Sequence, residues 1–127
     1  MNEFADYLHE VFREFGPIHT RRMFGGHGVF HEGLMFGLVA NGVLYLKADT
    51  ETKGAFSERG LEQFEYTKNR KLMKMSYFMA PEEIYEDPSV ASEWAALSYG
   101  AARRSKFSSP KNKKKRAQDP ASAAPMT

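Results

Sequence analysis

The sequence predicts an α+β domain: a mainly antiparallel five-stranded sheet, in the order α-βββ-α-ββ-αα, with helices packed against it. Three observations carry this prediction. Phe4, Leu8, Val11, Phe12 and Phe15 open the chain at helical spacing, Asn41-Gly42 separates two strand-like apolar stretches, and Val90, Trp94, Leu97 and Ala101 form a second helical stripe. With 127 residues, 42% of them hydrophobic, the chain has room for one domain with a core and not for two.

The first helix places Glu3, Asp6, Glu10, Arg13 and Glu14 between its apolar residues, so one face is buried and the other is wet. Asn2 is its expected cap, and Gly16-Pro17 stops it. Residues 23–31 then read as one strand, with a bulge or a close backbone approach at Gly25, Gly26 and Gly28. Glu32-Gly33 turns the chain into a second strand that ends at Ala40, and Asn41-Gly42, which tolerates the positive φ of a type I′ turn, returns it through Val43, Tyr45 and Lys47. Asp49-Thr50 is the expected cap of a short helix with Phe56 inward, ending at Gly60. Phe64 and Tyr66 mark a strand, residues 67–70 a turn, and Met73, Met75, Tyr77 and Met79 a strand whose methionines are expected to fill the core, the alternative being an adaptable partner-binding face. Pro81 and Pro88 each suit the first turn of a helix, and Ala91, Ala95, Ser98 and Ala102 form a small-residue stripe that permits close packing.

Charge divides the chain. Residues 1–102 hold 10 Lys/Arg and 15 Asp/Glu, a net −5, and residues 103–127 hold 8 Lys/Arg and one Asp, a net +7. Residues 1–104 are therefore expected to form the domain, and residues 105–127, without apolar periodicity, a disordered basic tail. Zero Cys excludes a disulfide scaffold, a thiolate zinc site and a cysteine nucleophile. The acidic N-terminus lacks the pattern of a signal peptide, and no apolar run approaches the roughly 18 residues of a membrane span. A soluble cytoplasmic protein is expected.

No catalytic constellation stands out. The glycines at 25, 26 and 28 lack the following Lys-Ser/Thr and the helix N-terminus that a phosphate loop needs. His27 and His31, four apart on a strand, lie about 13 Å from one another, with no third ligand evident. No metal or cofactor is therefore expected. Lys111, Lys113, Lys114, Lys115 and Arg116 attract nucleic-acid phosphates with little sequence preference, or serve as a solvated tail. Arg21, Arg22, Arg103 and Arg104, and the Lys68, Arg70, Lys71 and Lys74 group, extend that patch if they converge in space.

The segments Arg22-Met23-Phe24-Gly25-Gly26-His27-Gly28-Val29-Phe30, Gly33-Leu34-Met35-Phe36-Gly37-Leu38, Leu44-Tyr45-Leu46-Lys47-Ala48-Asp49 and Met75-Ser76-Tyr77-Phe78-Met79-Ala80-Pro81-Glu82-Glu83, followed by the Trp94 helix, resemble the N-terminal domain of TfoX/Sxy proteins. The resemblance covers roughly residues 3–104. Met23, Phe24, Gly25, Gly26, Gly28, Tyr45 and Lys47 carry its structural motif. It implies a bacterial α+β regulator of DNA-uptake competence genes that acts with the cyclic-AMP receptor protein, with no established catalytic residue, cofactor or metal. Full-length relatives carry a further helical C-terminal domain, where this sequence has its basic tail, so a stand-alone N-terminal domain is expected. The resulting expectation is a non-enzymatic regulatory or adaptor domain acting through a protein partner of the transcription machinery, with non-specific DNA contact by the tail. The alternatives are a small-molecule-binding protein or enzyme with a pocket near residues 25–28, lined by His27, Tyr45, Lys47 or Tyr77, and a module that self-associates through a sheet edge or the small-residue stripe.

Overall fold

One row of residues crosses every strand and shows how the sheet is assembled. Thr20, Val29, Gly37, Leu46, Phe78 and Gln63 stand side by side in antiparallel register, and Val29, Leu46 and Phe78 are buried. The computed structural model of the chain describes residues 3–23 and 25–107. Asn2, Phe24, the tail cations at 111–116 and the rest of the tail beyond Phe107 lie outside the described residues.

The chain runs through α1 (Glu3–Val11), β1 (His19–Met23), β2 (Gly26–His31), β3 (Leu34–Ala40), β4 (Val43–Lys47), α2 (Lys53–Ser57), β5 (Gln63–Lys68), β6 (Lys71–Met79), a 3-10 turn (Glu82–Tyr85) and α3 (Pro88–Phe107). The strands form an open antiparallel sheet in the order β1-β2-β3-β4-β6-β5.

The sheet therefore has six strands rather than five. The added strand is β1, which lies before the segment expected as one strand over residues 23–31 and shares only Met23 with it; the rest of that segment is β2, which follows Gly25 at φ +75°. The reason is visible in β1, His-Thr-Arg-Arg-Met, which pairs on one side only and stays largely exposed. An edge strand of this kind carries no apolar alternation to betray it. The expected close approach is real and falls at Gly26, where a Cβ would stand 1.9 Å from the Val39 carbonyl oxygen. The bulge lies further on, between Val29 and Phe30 of β2 and their partners on β3. Asn41 (φ +53°) and Gly42 (φ +74°) adopt the expected positive-φ pair between β3 and β4.

The core lies on one face. Phe12, at the end of α1, meets Phe36 edge-on at 5.6 Å, Phe15 meets the same ring at 5.4 Å, and Phe56 of α2 stacks between Phe78 (5.4 Å) and Trp94 (5.1 Å). The helix expected at Pro81 is a single 3-10 turn, because Pro88 starts α3 directly and Asp87 caps it, accepting the Ser89 N–H at 2.9 Å. In α3 the small residues Ala91, Ala95, Ser98 and Ala102 face inward, while Val90, Trp94 and Leu97 flank them half-buried. The small stripe is spent on the chain's own core and offers no surface for self-association.

Candidate partner-docking face

The second face of the sheet has no described helix over it. The register places Arg21, Gly28, Leu38, Tyr45 and Met79 in one row, one residue out of step with the core row and so pointing the other way. Lys47 pairs with Tyr77 on the same face. Between Arg21 and Lys47 the side chains on this face, Leu38, Tyr45, Tyr77 and Met79, are apolar or aromatic, unlike the polar solvent face of an ordinary two-layer sheet; Leu38 and Tyr77 are buried by neighbouring side chains and Tyr45 and Met79 are half-buried.

A groove of about 340 Å³ runs along this face, lined by Met35, Leu38, Val39, Ala40, Phe64, Tyr66, Lys68 and Met75. Its aromatic wall is ordered from within: Tyr45 meets Phe64 edge-on at 4.8 Å, and Phe64 stacks on Tyr66 at 6.2 Å. A register shift between Gln63 and Glu65 sets Phe64 and Tyr66 into that wall, and the Gln63 Nε2 donates to the Met75 carbonyl oxygen at 2.9 Å, pinning β5 to β6 there.

Beyond the bulge the β5–β6 hairpin extends away from the core, and residues 65–74 are all exposed. Asn69 (φ +53°) and Arg70 (φ +67°) close it as a two-residue turn. Tyr66 is 39% exposed, Met73 40% and Leu72 62%. The core-filling expectation for the methionines fails here: Met73 is exposed, Met75 lines the groove and Met79 is half-buried on the open face. The alternation is real, but the first half of β6 has outrun the helices that would bury it. Lys68, Arg70, Lys71 and Lys74 all sit on this one hairpin, against the single carboxylate of Glu65, 3.9 Å from Lys74.

The arginines are placed differently. Arg21 lies on the open face, over the Phe30 ring at 5.5 Å, whereas Arg22 shares its row with His27 and Val39 on the helix side. Arg103 stands over the Phe107 ring at 5.9 Å. Arg104 forks onto Asp49, with Nε to Oδ2 at 2.6 Å and Nη2 to Oδ1 at 3.2 Å, and reaches Glu51 at 3.3 Å. The Arg104 hydrogen bond, with further ones from the Glu51 and Thr52 side of the turn, holds the Asp49 carboxyl below the usual carboxylate range.

The residues named for a pocket near 25–28 do not come together. His27 is on the helix side with its Nδ1 buried and without a hydrogen-bond partner among the described residues, while Tyr45, Lys47 and Tyr77 are on the open face. Lys47 donates to Ser76 Oγ at 2.8 Å, lies 5.2 Å from the Tyr77 ring, and has its pKa lowered by burial against the opposing pull of Asp49. Burial pushes Tyr77 up to about 12. His31 is held by Pro17, its Nδ1 2.8 Å from that carbonyl, and packs between Phe15 and Tyr99. The glycines serve geometry: Gly26 lets β2 approach β3, and Gly28 leaves room for Met23 and Phe30, either of which a Cβ would crowd to about 3.0 Å.

The groove itself was legible only in part from the sequence. Phe64, Tyr66 and Lys68 alternate with Glu65 and Thr67, which marks an amphipathic strand. Nothing in that pattern says that its apolar side would be left uncovered. Met35 and Leu38 carry no signal of their own, because β3 is apolar throughout.

Comparison with known proteins places the chain. The TfoX N-terminal domain matches residues 10–102. DNA transformation protein TfoX1 of Aliivibrio fischeri (strain ATCC 700601 / ES114) is 32% identical over 89 residues, covering 70% of this chain and 43% of that protein. The chain thus spans less than half the length of this relative. No helix among the described residues is long and apolar enough to cross a membrane. With its open antiparallel sheet, its single helical layer and a match that runs from α1 to the last turns of α3, the chain belongs to the TfoX family through its N-terminal domain.

Proposed function

We propose that this protein is a non-enzymatic regulatory domain of the DNA-uptake type that works by docking a protein partner of the transcription machinery on the open face of its sheet. The observation that carries the proposal is the apolar face that no described helix covers, with its groove and the exposed Tyr66 and Met73 beside it. Contiguous exposed apolar surface of this kind marks an interaction site, and methionines suit one because they repack at little cost. The relative's name supports the link to DNA transformation. The basic tail adds non-specific DNA affinity through counterion release.

Affinity capture of the full chain from its host, with and without nuclease, tests this reading. The reading expects a transcription protein that survives nuclease and is lost from a Tyr66→Ser/Met73→Ser variant. Capture that vanishes with nuclease, or that the variant leaves unchanged, refutes it. For the tail, replacing Lys113, Lys114 and Lys115 by Gln should flatten the salt dependence of DNA binding; an unchanged slope rejects that role.

A further inference from the structure

The width and charge of the groove select what fills it, given the docking reading above. Its walls belong to β3 (Met35, Leu38, Ala40) and β5 (Phe64, Tyr66, Lys68), and the strand order puts β4 and β6 between them. Three strand steps of about 4.8 Å set the backbones of those walls roughly 14 Å apart, while Phe64 reaches in to Tyr45 at 4.8 Å, so the groove of about 340 Å³ takes side chains rather than a whole element. An α-helix, about 10–12 Å across, lies over such a groove and sends one stripe of side chains into it.

Charge supplies the second constraint. Opposed pairs in the hairpin share a face, so Lys71, opposite Lys68, stands on the groove side together with Tyr66 and Met73. Among the described residues, Lys68, Arg70 and Lys71 form no ion pair, while Lys74, on the far side of the hairpin, is matched by Glu65 at 3.9 Å. The groove is therefore apolar along its length and cationic along one rim. That rim belongs to a body whose residues 1–102 hold 10 Lys/Arg and 15 Asp/Glu.

We infer that the groove binds an amphipathic helix of the partner, its apolar stripe laid on Leu38, Phe64, Tyr66 and Met75 and an acidic flank set against Lys68, Arg70 and Lys71. Helix-in-groove recognition needs an apolar groove that takes one stripe of a helix, and the charged rim fixes which way round the helix lies. A basic flank would meet three uncompensated cations.

The test uses the full chain and labelled helical peptides of about five turns, ~18 residues, with a Leu/Met stripe flanked by Glu in one and by Lys in the other. A single-stranded oligonucleotide is the third probe. The Glu-flanked peptide should bind, and should weaken about tenfold both with Lys68→Glu/Lys71→Glu and with Tyr66→Ser, while the Lys-flanked peptide should gain on the charge-reversed protein. Lys68→Glu/Lys71→Glu exchanges one like-charged pair for another at exposed positions, so folding is not at issue. Equal binding of the Glu-flanked peptide by all three proteins, or none by any, overturns the inference. Oligonucleotide binding that depends on Tyr66 does so too, and assigns the face to nucleic acid. If the peptides fail while Tyr66→Ser still abolishes capture from the host, the face docks a partner of another shape and only the helix is wrong; if capture is also untouched, the docking reading falls with it.

Discussion

Gly26→Ala strikes the tightest point of the fold. The new methyl group would stand 1.9 Å from the Val39 carbonyl oxygen and 3.1 Å from the carbonyl carbon, where ordinary contact begins at 3.4 Å. Strand β2 must retreat by more than an ångström. It is held against that retreat by the His27–Val39 and Gly28–Leu38 pairs on one side and by β1 on the other. Overpacking costs about 1–3 kcal/mol, and a clash with backbone, which cannot rotate away, belongs in the upper part of that range. Urea unfolding followed by the fluorescence of Trp94, the single tryptophan, reads the loss directly. With an m-value of about 1.5 kcal/mol/M, a loss of about 2–3 kcal/mol lowers the midpoint by about 1.3–2 M. Two other glycines calibrate the result. Gly25→Ala meets nothing within 4 Å but must hold φ +75°, which costs about 1 kcal/mol. Gly54→Ala, in α2, meets nothing and keeps an ordinary φ, so it should gain about 0.5–1 kcal/mol. A Gly26→Ala midpoint equal to that of the wild type, or a Gly25→Ala loss larger than the Gly26→Ala loss, refutes the close-approach account.

Asp49→Asn keeps the shape of the side chain but removes the charge that Arg104 grips. With Arg104 40% exposed, solvent screening holds the loss to about 1 kcal/mol at neutral pH. Because the Asp49 carboxyl is held below its usual value of 3.8, its contribution is present above that pH and fades as pH falls through the folded value. Melting temperatures of wild type and variant should therefore converge in acid; a constant gap contradicts the ion-pair account. Tyr77 and Tyr85, both raised to about 12 by burial, should ionise well after an ordinary tyrosine, and their share of stability should fall away as pH climbs from about 10 to 12. Tyr77→Phe should remove part of the late step in an ultraviolet titration; a single titration near 10 rejects the burial. Arg70→Gly should raise the urea midpoint by an amount matching about 0.5–1 kcal/mol, since Arg70 sits at φ +67°. A lower midpoint would show that the Arg70 side chain stabilises the turn.

The elements that were legible in the sequence are those whose residues answer to one local rule. Asn41-Gly42 names its own turn, and the Phe4-to-Phe15 spacing names a helix that ends at Val11, with Leu8 and Val11 buried in it and Phe12 buried just beyond. β1 escaped because an edge strand has no two-sided burial to impress on its residues, and His19–Met23 is polar as a result. The α3 stripe was half-legible: its spacing shows a helix, but which stripe faces inward depends on how closely the helix must approach β3 and β4, and small residues win that position. The same limit applies to the docking face. Alternation along β5 and β6 shows two-sided strands, while the decision to cover one side and leave the other bare is made by where α1, α2 and α3 pack. Convergence of Lys68, Arg70 and Lys71 on one rim, with Lys74 on the other side of the hairpin, follows from the turn at Asn69-Arg70 and was visible only as a conditional in the sequence.

The most direct test of the docking face is photo-crosslinking inside the host, with the reactive residue placed at Met73 in one protein and at Glu58 in another. Both positions are exposed, Met73 on the open face and Glu58 at the end of α2 on the helical side. The account predicts a discrete protein adduct from Met73 that persists after nuclease, and none from Glu58. Adducts of equal yield from both positions, or an adduct from Glu58 alone, would contradict it.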